Sequence, residues 1–307
     1  MRLAYNTKAG NSYIGDSGEI LKDTQFDSLH HKIDLIFTSP PFPLNRKKAY
    51  GNLNGNNYIE WLSEFGPVFS ELLAPDGSLV IELGNSWESG RPTMSLTPIE
   101  ALIELKRAGK FYLCQEFIWH NPTKLPSPAQ WVNVQRIRVK DAFTRLWWLS
   151  TTPYPKANNR LVLREYSPSM KELLKTKKYN SGRRPSQHRI GVNSFLTNNN
   201  GAIPSSVLSI PNTSAIDPYL DFCRKQKIPR HPSRMPLDLA KFFILFLTEK
   251  DDVVLDPFAG SNVTGFVAET CGRRWISIEK NEVYACSAIS RFDRNSLTSK
   301  IEEEEIG

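Results

Sequence analysis

Residues 253–265, Val253-Val254-Leu255-Asp256-Pro257-Phe258-Ala259-Gly260-Ser261-Asn262-Val263-Thr264-Gly265, decide the fold. Three aliphatic residues and an aspartate read as a short buried strand, a glycine-containing turn follows, and residues 263–269 read as a helix. A strand that feeds a helix through small residues brings two things to one place: the carboxyl end of the strand and the unpaired amides of the first helical turn. Nucleotide-like groups bind there in open α/β sheets. Glu279 lies twenty-three residues beyond Asp256, at the end of the next strand (275–278), where a carboxylate can accept hydrogen bonds from ribose hydroxyls. On residue types alone, a tight strand–helix turn with an incidental surface glutamate would look the same.

Working outward, a second strand, 33–37, ends in Thr38-Ser39-Pro40-Pro41-Phe42. This sequence suits an amino group on a nucleobase. The lone pair of such an amine is delocalised into the ring, so it attacks poorly unless its N–H bonds are held in a tetrahedral geometry. The Ser39 hydroxyl and the Pro40 carbonyl can accept those bonds. The Pro40-Pro41 pair fixes φ and removes amide donors, which aims the carbonyl rigidly. Phe42 can stack on an extruded base.

Strands and helices alternate in the rest of the N-terminal part. A strand is expected over 12–16, a loop rich in Gly, Asn and Lys over 45–57, and a helix over 58–73. A turn follows at Ala74-Pro75-Asp76-Gly77, then strand 78–83, helix 98–108 and strands 111–119 and 143–149. From 150 to about 228 periodicity fails, with Pro185, Pro204, Pro211 and Pro218 breaking any regular element. This region is either loop-rich or partly mobile. Order returns at Pro236, in the first turn of a helix ending near Glu249, and a last helix covers 283–292. Alternation of this kind implies a mostly parallel sheet covered on both faces.

Apolar residues make up 40% of the 307 residues and charged ones 23%, the balance of an ordinary globular protein. The longest apolar run, 242–247, is far too short to span a membrane, and the N-terminus lacks the apolar stretch of a secretory signal. A cytoplasmic location with reduced thiols is therefore expected. Cys114, Cys223, Cys271 and Cys286 show no metal spacing, nor do the histidines, and no metal is assigned. The net charge of +7 is unevenly spread: residues 121–190 hold fifteen Lys/Arg and three Asp/Glu, a local +12, which leaves −5 for the rest. A basic block in a mildly acidic chain is the footprint of a polyanionic partner.

With both motifs in hand, the chain resembles the amino-methylating DNA methyltransferases of restriction–modification systems. It is closest to the permuted beta group, in which the target-amine motif precedes the cofactor motif as Ser39 precedes Asp256, and within it to the PvuII-type N4-cytosine methyltransferases. The resemblance spans nearly the whole chain. It includes Arg46-Lys47-Lys48, Asn121-Pro122, Lys124-Leu125-Pro126-Ser127-Pro128, Arg138-Val139-Lys140-Asp141-Ala142 and Trp147-Trp148.

The resemblance implies an S-adenosylmethionine-dependent, Rossmann-like, permuted sheet of seven mostly parallel strands, with residues 1–149 as the catalytic part, 150–230 as an irregular DNA-recognition region, and 231–307 as the cofactor-binding part. By the same resemblance, Asp256, Phe258, Gly260, Ser261 and Thr264 are expected to form the cofactor turn, Glu279 to hold the ribose, and Asp16 to sit near the adenine. His231, with Pro232, Arg234 and Pro236, helps hold the methionine moiety. Ser39, Pro40, Pro41 and Phe42 are the catalytic set. Asn262 departs from the usual glycine of this turn, but asparagine tolerates left-handed backbone. Lys124, Arg136, Arg138 and Lys140 are candidates for phosphates, Arg183, Arg184, Ser186 and His188 for the groove. Arg46 and Lys47 lie on the 45–57 loop, which is expected to close over the flipped base.

The expected reaction is direct methyl transfer to cytosine N4 in double-stranded DNA, with no covalent intermediate, no dedicated general base and no stable protein partner, and a functional link to a restriction endonuclease. N6-adenine methylation by the same architecture is the nearest alternative, since Ser-Pro-Pro-Phe favours cytosine over the Asp- or Asn-Pro-Pro-Tyr form usual for adenine. A nicotinamide dehydrogenase would need GxGxxG, and only Gly260 and Gly265 stand here. A non-catalytic DNA-binding protein would need a decayed cofactor site.

Overall fold

The computed structural model describes residues 2–43, 53, 55–179, 181–212 and 217–292. Two compact units emerge, one built from 1–157 and 206–307, the other from 158–205.

The first unit is built on one sheet. It begins with an antiparallel hairpin, β1 (Arg2–Asn6) and β2 (Gly10–Ile14). The short α1 (Ser17–Ile20) leads on to β3 (Ile33–Thr38). Helices α2 (Gly55–Ser63) and α3 (Phe65–Leu72) precede β4 (Leu73–Leu83), and α4 (Thr97–Ala108) precedes β5 (Tyr112–His120) and β6 (Phe143–Ser150). In the second unit, α5 (Pro168–Thr176) is the longest element. The chain returns to the sheet through β7 (Val207–Ser209), then α6 (Pro218–Gln226) and α7 (Leu237–Leu247). It finishes with β8 (Val253–Asp256), α8 (Val263–Thr270), β9 (Arg274–Glu279) and α9 (Glu282–Ser287).

The strand order is β1-β2-β9-β8-β3-β4-β6-β5-β7. Strands β2, β9, β8, β3 and β4 run parallel, while β6 is antiparallel to both neighbours. Period-two alternation serves two cores. Ile36, Leu79 and Ile81 face the layer of α2, α3 and α4 through Leu62, Phe69, Leu72 and Leu105, all at most 1% exposed. On the other face Phe37 packs on Phe243 of α7 at 5.4 Å, and Trp148 on Phe246 at 5.2 Å. Helix α7 buries residues on nearly every side, and β8 is buried throughout, as a central parallel strand must be.

Several sequence expectations are corrected. The sheet has nine strands among the described residues, not seven, because two short edge strands, β1 and β7, extend it. Strand β7 is three residues between Pro204 and Pro211, too short for a periodic signal. Residues 74–77 form a wide bulge inside β4 instead of a turn: Ile33 pairs with Leu73 and Leu35 with Ser78. The 58–73 helix is two helices meeting at Glu64. The second compact unit, 158–205, lies inside the stretch 150–230 expected to be irregular. Pro218 starts α6 instead of breaking an element: it lies in the first turn, where its missing N–H costs nothing, and Asp217 caps it.

Candidate active site

Strands β8 and β3 are parallel neighbours whose crossovers leave in opposite directions, β8 through α8 to β9 and β3 through α2 and α3 to β4. This is the switch point at which open α/β sheets bind ligands. A cavity of about 470 Å³ lies there, within the roughly 300–1,000 Å³ of small-ligand sites. It is lined by both motif turns, by Asp16, His231, Arg234 and Glu279, and by Tyr58, Trp61, Glu82 and Lys280.

The cofactor turn is organised around Asp256, which is 5% exposed. One carboxylate oxygen accepts from Thr38 Oγ1 at 2.8 Å and from the Phe258 amide at 3.1 Å; the other accepts from Thr264 Oγ1 at 2.7 Å. Burial pushes its carboxyl up to about 6, against the pull of these bonds. Gly260 has φ +54°, and a Cβ there would lie 2.9 Å from the His231 ring, so only glycine lets that ring close on the turn. Glu279 accepts from the Gly260 amide at 2.8 Å and the Asn281 amide at 2.7 Å. Burial raises its carboxyl above the ordinary range, with these bonds opposing. Beyond these backbone bonds the carboxylate keeps acceptor capacity for a further donor. Asp16 caps α1 through Gly18 N and accepts from Lys280 Nζ at 3.0 Å. Burial alone would raise its carboxyl, but those bonds outweigh it and hold the group low.

Asn262 adopts the anticipated left-handed backbone, φ 51° and ψ 46°. Its side chain points inward, where Oδ1 caps the Gly265 amide and Nδ2 donates to Tyr5 Oη at 2.8 Å. It is 1% exposed and does not line the cavity, so it shapes the turn and leaves ligand contact to its neighbours.

The amine motif faces the same cavity. The Ser39 hydroxyl donates to Glu82, the penultimate residue of β4. Glu82 is 5% exposed, and burial pushes its carboxyl up to about 7 against the bond from Ser39 and the positive charge of Lys124. Phe42 lies against Gly84, where a Cβ would come within 2.4 Å of its ring. Ser86 Oγ donates to Pro43 O at 2.6 Å and pins the end of the turn.

Sequence reasoning missed several contributors, Tyr58 and Lys280 on the cavity wall among them. Glu82 looked like an ordinary strand residue, although a carboxylate at the carboxyl end of an otherwise apolar strand was a usable signal. Trp61 packs on Phe258 at 5.6 Å and borders the cavity. Buried Arg291 donates to Ser261 O at 2.6 Å and Oγ at 3.0 Å, and to Asp217 at 2.9 Å. Asp217 also accepts from Arg234 at 2.8 Å.

The basic candidates divide. Arg138 stacks 3.6 Å over Trp87 and donates to Pro92 O at 2.5 Å, so its guanidinium is engaged inside the protein. Lys124 lies 3.5 Å from Asp141, and Lys140 bonds the carbonyls of Pro122 and Lys124. In the second unit Arg183, Arg184 and His188 are exposed on a short hairpin (Gly182–Arg183 with Arg189–Ile190). Arg46 and Lys47, with most of the 45–57 loop, lie outside the described residues. Among the described residues no His/Cys/Asp/Glu cluster fits a metal, and no helix is long and apolar enough to cross a membrane.

A doubly covered, mostly parallel sheet, with the 39–42 turn, the 256–264 turn and the Glu279 carboxylate on one cavity, is the arrangement of a Rossmann-like methyltransferase. A family model described as DNA methylase matches residues 33–290. The type II methyltransferase M.PvuII of Proteus hauseri is 44% identical over 305 residues, covering 99% of this chain and 88% of that protein. Two solved structures match as well. The cytosine-N4-specific PvuII DNA methyltransferase superposes with TM-score 0.76 and 37% identity, over 99% of this chain and 93% of that one. The M1.HpyAVI–SAM complex, TM-score 0.52 and 22% identical over 92% and 98%, shares the fold. The chain belongs to the DNA methylase family.

Proposed function

We propose that this protein transfers the methyl group of S-adenosylmethionine to N4 of cytosine in duplex DNA, as the modification enzyme of a restriction–modification pair. The observation that carries this reading is the union of the two turns: Thr38, beside Ser39, is bonded to Asp256, so acceptor and donor sites share one cavity. The chain's residues fit the cofactor. Glu279 suits a ribose, Asp16 and Lys280 flank the adenine end, and Gly260, Ser261, His231 and Arg234 surround the methionine end. The Tyr58 hydroxyl, buried beside the cavity with no hydrogen-bonding partner among the described residues, suits a polar ligand atom. The cofactor supplies an electrophilic methyl on a sulfonium.

Everything else falls to the protein. With Glu82 ionised, the Ser39 hydroxyl donates a hydrogen bond to it and keeps its own proton, so its oxygen lone pairs are free to accept one N–H of the target amine; the Pro40 carbonyl accepts the other. An ionised Glu82 strengthens that acceptor as positive charge builds on the amine, and it offers a place for the departing proton, so the expected absence of a dedicated base gives way to a Ser39–Glu82 pair. Phe42 stacks on the base. Arg183, Arg184 and His188 reach DNA from their hairpin; Lys124 and Lys140 meet phosphates.

The test is product analysis. The protein is expressed in a host lacking DNA methylation, and nucleosides from its DNA are resolved by mass spectrometry. N4-methylcytosine is expected at one short sequence, which then resists the matching nuclease. N6-methyladenine, or no methylated base, would overturn the reading.

A further inference from the structure

Residues 121–142 join β5 to β6. Because β6 runs antiparallel to β4, this segment stands at the carboxyl end of β4, the edge that carries Glu82. Polar anchors hold it in place. Asp141 accepts from Asn85 Nδ2 at 2.8 Å, and Asn85 Oδ1 accepts from Arg145 at 2.9 Å. The Asp141 amide bonds Ser127 O at 3.2 Å, so residues 124–127 run beside 139–141. The interior contacts of Arg138 tie the segment to Trp87 and Pro92. Asn85 follows Gly84, the residue under Phe42, so the base of the segment is joined to the wall of the active site.

On this anchored frame stand four large aliphatic side chains open to solvent: Leu125 at 80% exposed, Val134 at 69%, Ile137 at 59% and Val139 at 87%. Single exposed aliphatics are ordinary, but several on one short anchored segment at a functional edge mark an interaction surface. Along the segment they are interleaved with Lys124, Arg136 and Lys140, and its one acid, Asp141, is already bonded inward. Apolar tips flanked by cations match base faces flanked by phosphates. An extruded base leaves a gap in the stack, and apolar wedges are the side chains that occupy such gaps.

We infer that Leu125 and Val139 enter the duplex beside the target cytosine and hold open the space it leaves, with Lys124 and Lys140 on the neighbouring phosphates. This rests on the proposed base-directed methylation and adds the device that delivers the base.

The test uses the full chain carrying Leu125→Ala and Val139→Ala together, its folding checked by thermal unfolding. The DNA is a duplex bearing the sequence methylated in the host. With pyrrolocytosine at the target position, the wild type should raise the fluorescence and the variant should raise it much less. Single-turnover methylation of the paired duplex should fall about tenfold, in keeping with the cost of unstacking a base. Opposite an abasic site the cytosine is already loose, and there the variant should recover to within about twofold of the wild type. Equal loss on both duplexes, or no loss on either, would overturn the wedge. So would a variant that extrudes normally but sediments as a smaller species, which would make the patch a contact between copies. Should the methylated base prove to be adenine, 2-aminopurine replaces pyrrolocytosine; fluorescence then reports extrusion for either target, so this inference and the N4-cytosine reading fail separately.

Discussion

Thr38, the last residue of β3, donates its hydroxyl to Asp256, the last residue of β8, at 2.8 Å, although 218 residues separate them. The bond joins the 39–42 turn, proposed to hold the target amine, to the 256–264 turn, proposed to hold the cofactor. Thr38→Val keeps the shape and removes the donor, leaving a buried carboxylate short of one bond. The loss should be about 1.5–3 kcal/mol of unfolding free energy. The deficit should be greatest above pH 6, where Asp256 is ionised, and should shrink toward pH 5. Denaturant titration across that range checks it, and an equal deficit at every pH would contradict the role of the ionised group.

Glu82 sets a pH dependence. If its ionised form draws on the Ser39 proton, single-turnover methylation should rise as pH passes through about 7 and then level off. Glu82→Gln should be slow and flat with pH. Stability runs the other way. The carboxyl titrates near 7 when folded, against an ordinary 4.5, so between those values the folded state holds more protons than the unfolded chain. This group's contribution to stability therefore falls as pH rises from about 4.5 to 7. The Gln variant should lack that decline.

Ser39→Ala should reveal a transition-state contact. The turn and the Pro40 carbonyl survive, so cofactor and DNA affinity should stay within a few-fold while the chemical rate falls roughly 10²-fold, near 2.7 kcal/mol. Rapid-quench measurement with saturating DNA and cofactor separates the two. An unchanged rate would leave the Pro40 carbonyl as sole acceptor.

Glu279→Ala removes the carboxylate proposed to hold the ribose and the acceptor for the Gly260 and Asn281 amides. S-adenosylmethionine binding measured by calorimetry should weaken at least tenfold, since two charge-assisted bonds of roughly 1.5–3 kcal/mol each are at stake. An unaltered affinity would place the ribose elsewhere.

Arg183→Ala with Arg184→Ala tests the hairpin of the second unit. If both side chains neutralise phosphates, affinity should drop and the log–log salt slope should flatten by about one per contact. If they read bases, sequence preference should relax at nearly constant slope. No effect on either would remove the hairpin from the DNA interface.

The parts of this protein legible in the sequence are local ones. The run from Val253 to Gly265 carries its own strand, turn and helix signals, and Thr38 to Phe42 is a rigid proline turn wherever it occurs. Their order along the chain, amine turn first, already implied the permuted arrangement. Asn262 shows the limit of such reading: its left-handed backbone followed from residue type, but its side chain turned out to be bonded to Tyr5 and the Gly265 amide. Likewise, the positive charge of Arg138 was visible in the sequence, while its stacking on Trp87 was not.

The amino-acid sequence by itself determined the two turns and the chemistry they can hold, because backbone preference and side-chain type act over a few residues. Only the tertiary structure decided that the turns share a cavity, that Glu82 stands behind Ser39, and that Arg291 and Asp217 brace Ser261. Those pairings depend on strand order, β8 beside β3 and β3 beside β4. The packing of the whole sheet sets that order, and no spacing along the chain encodes it.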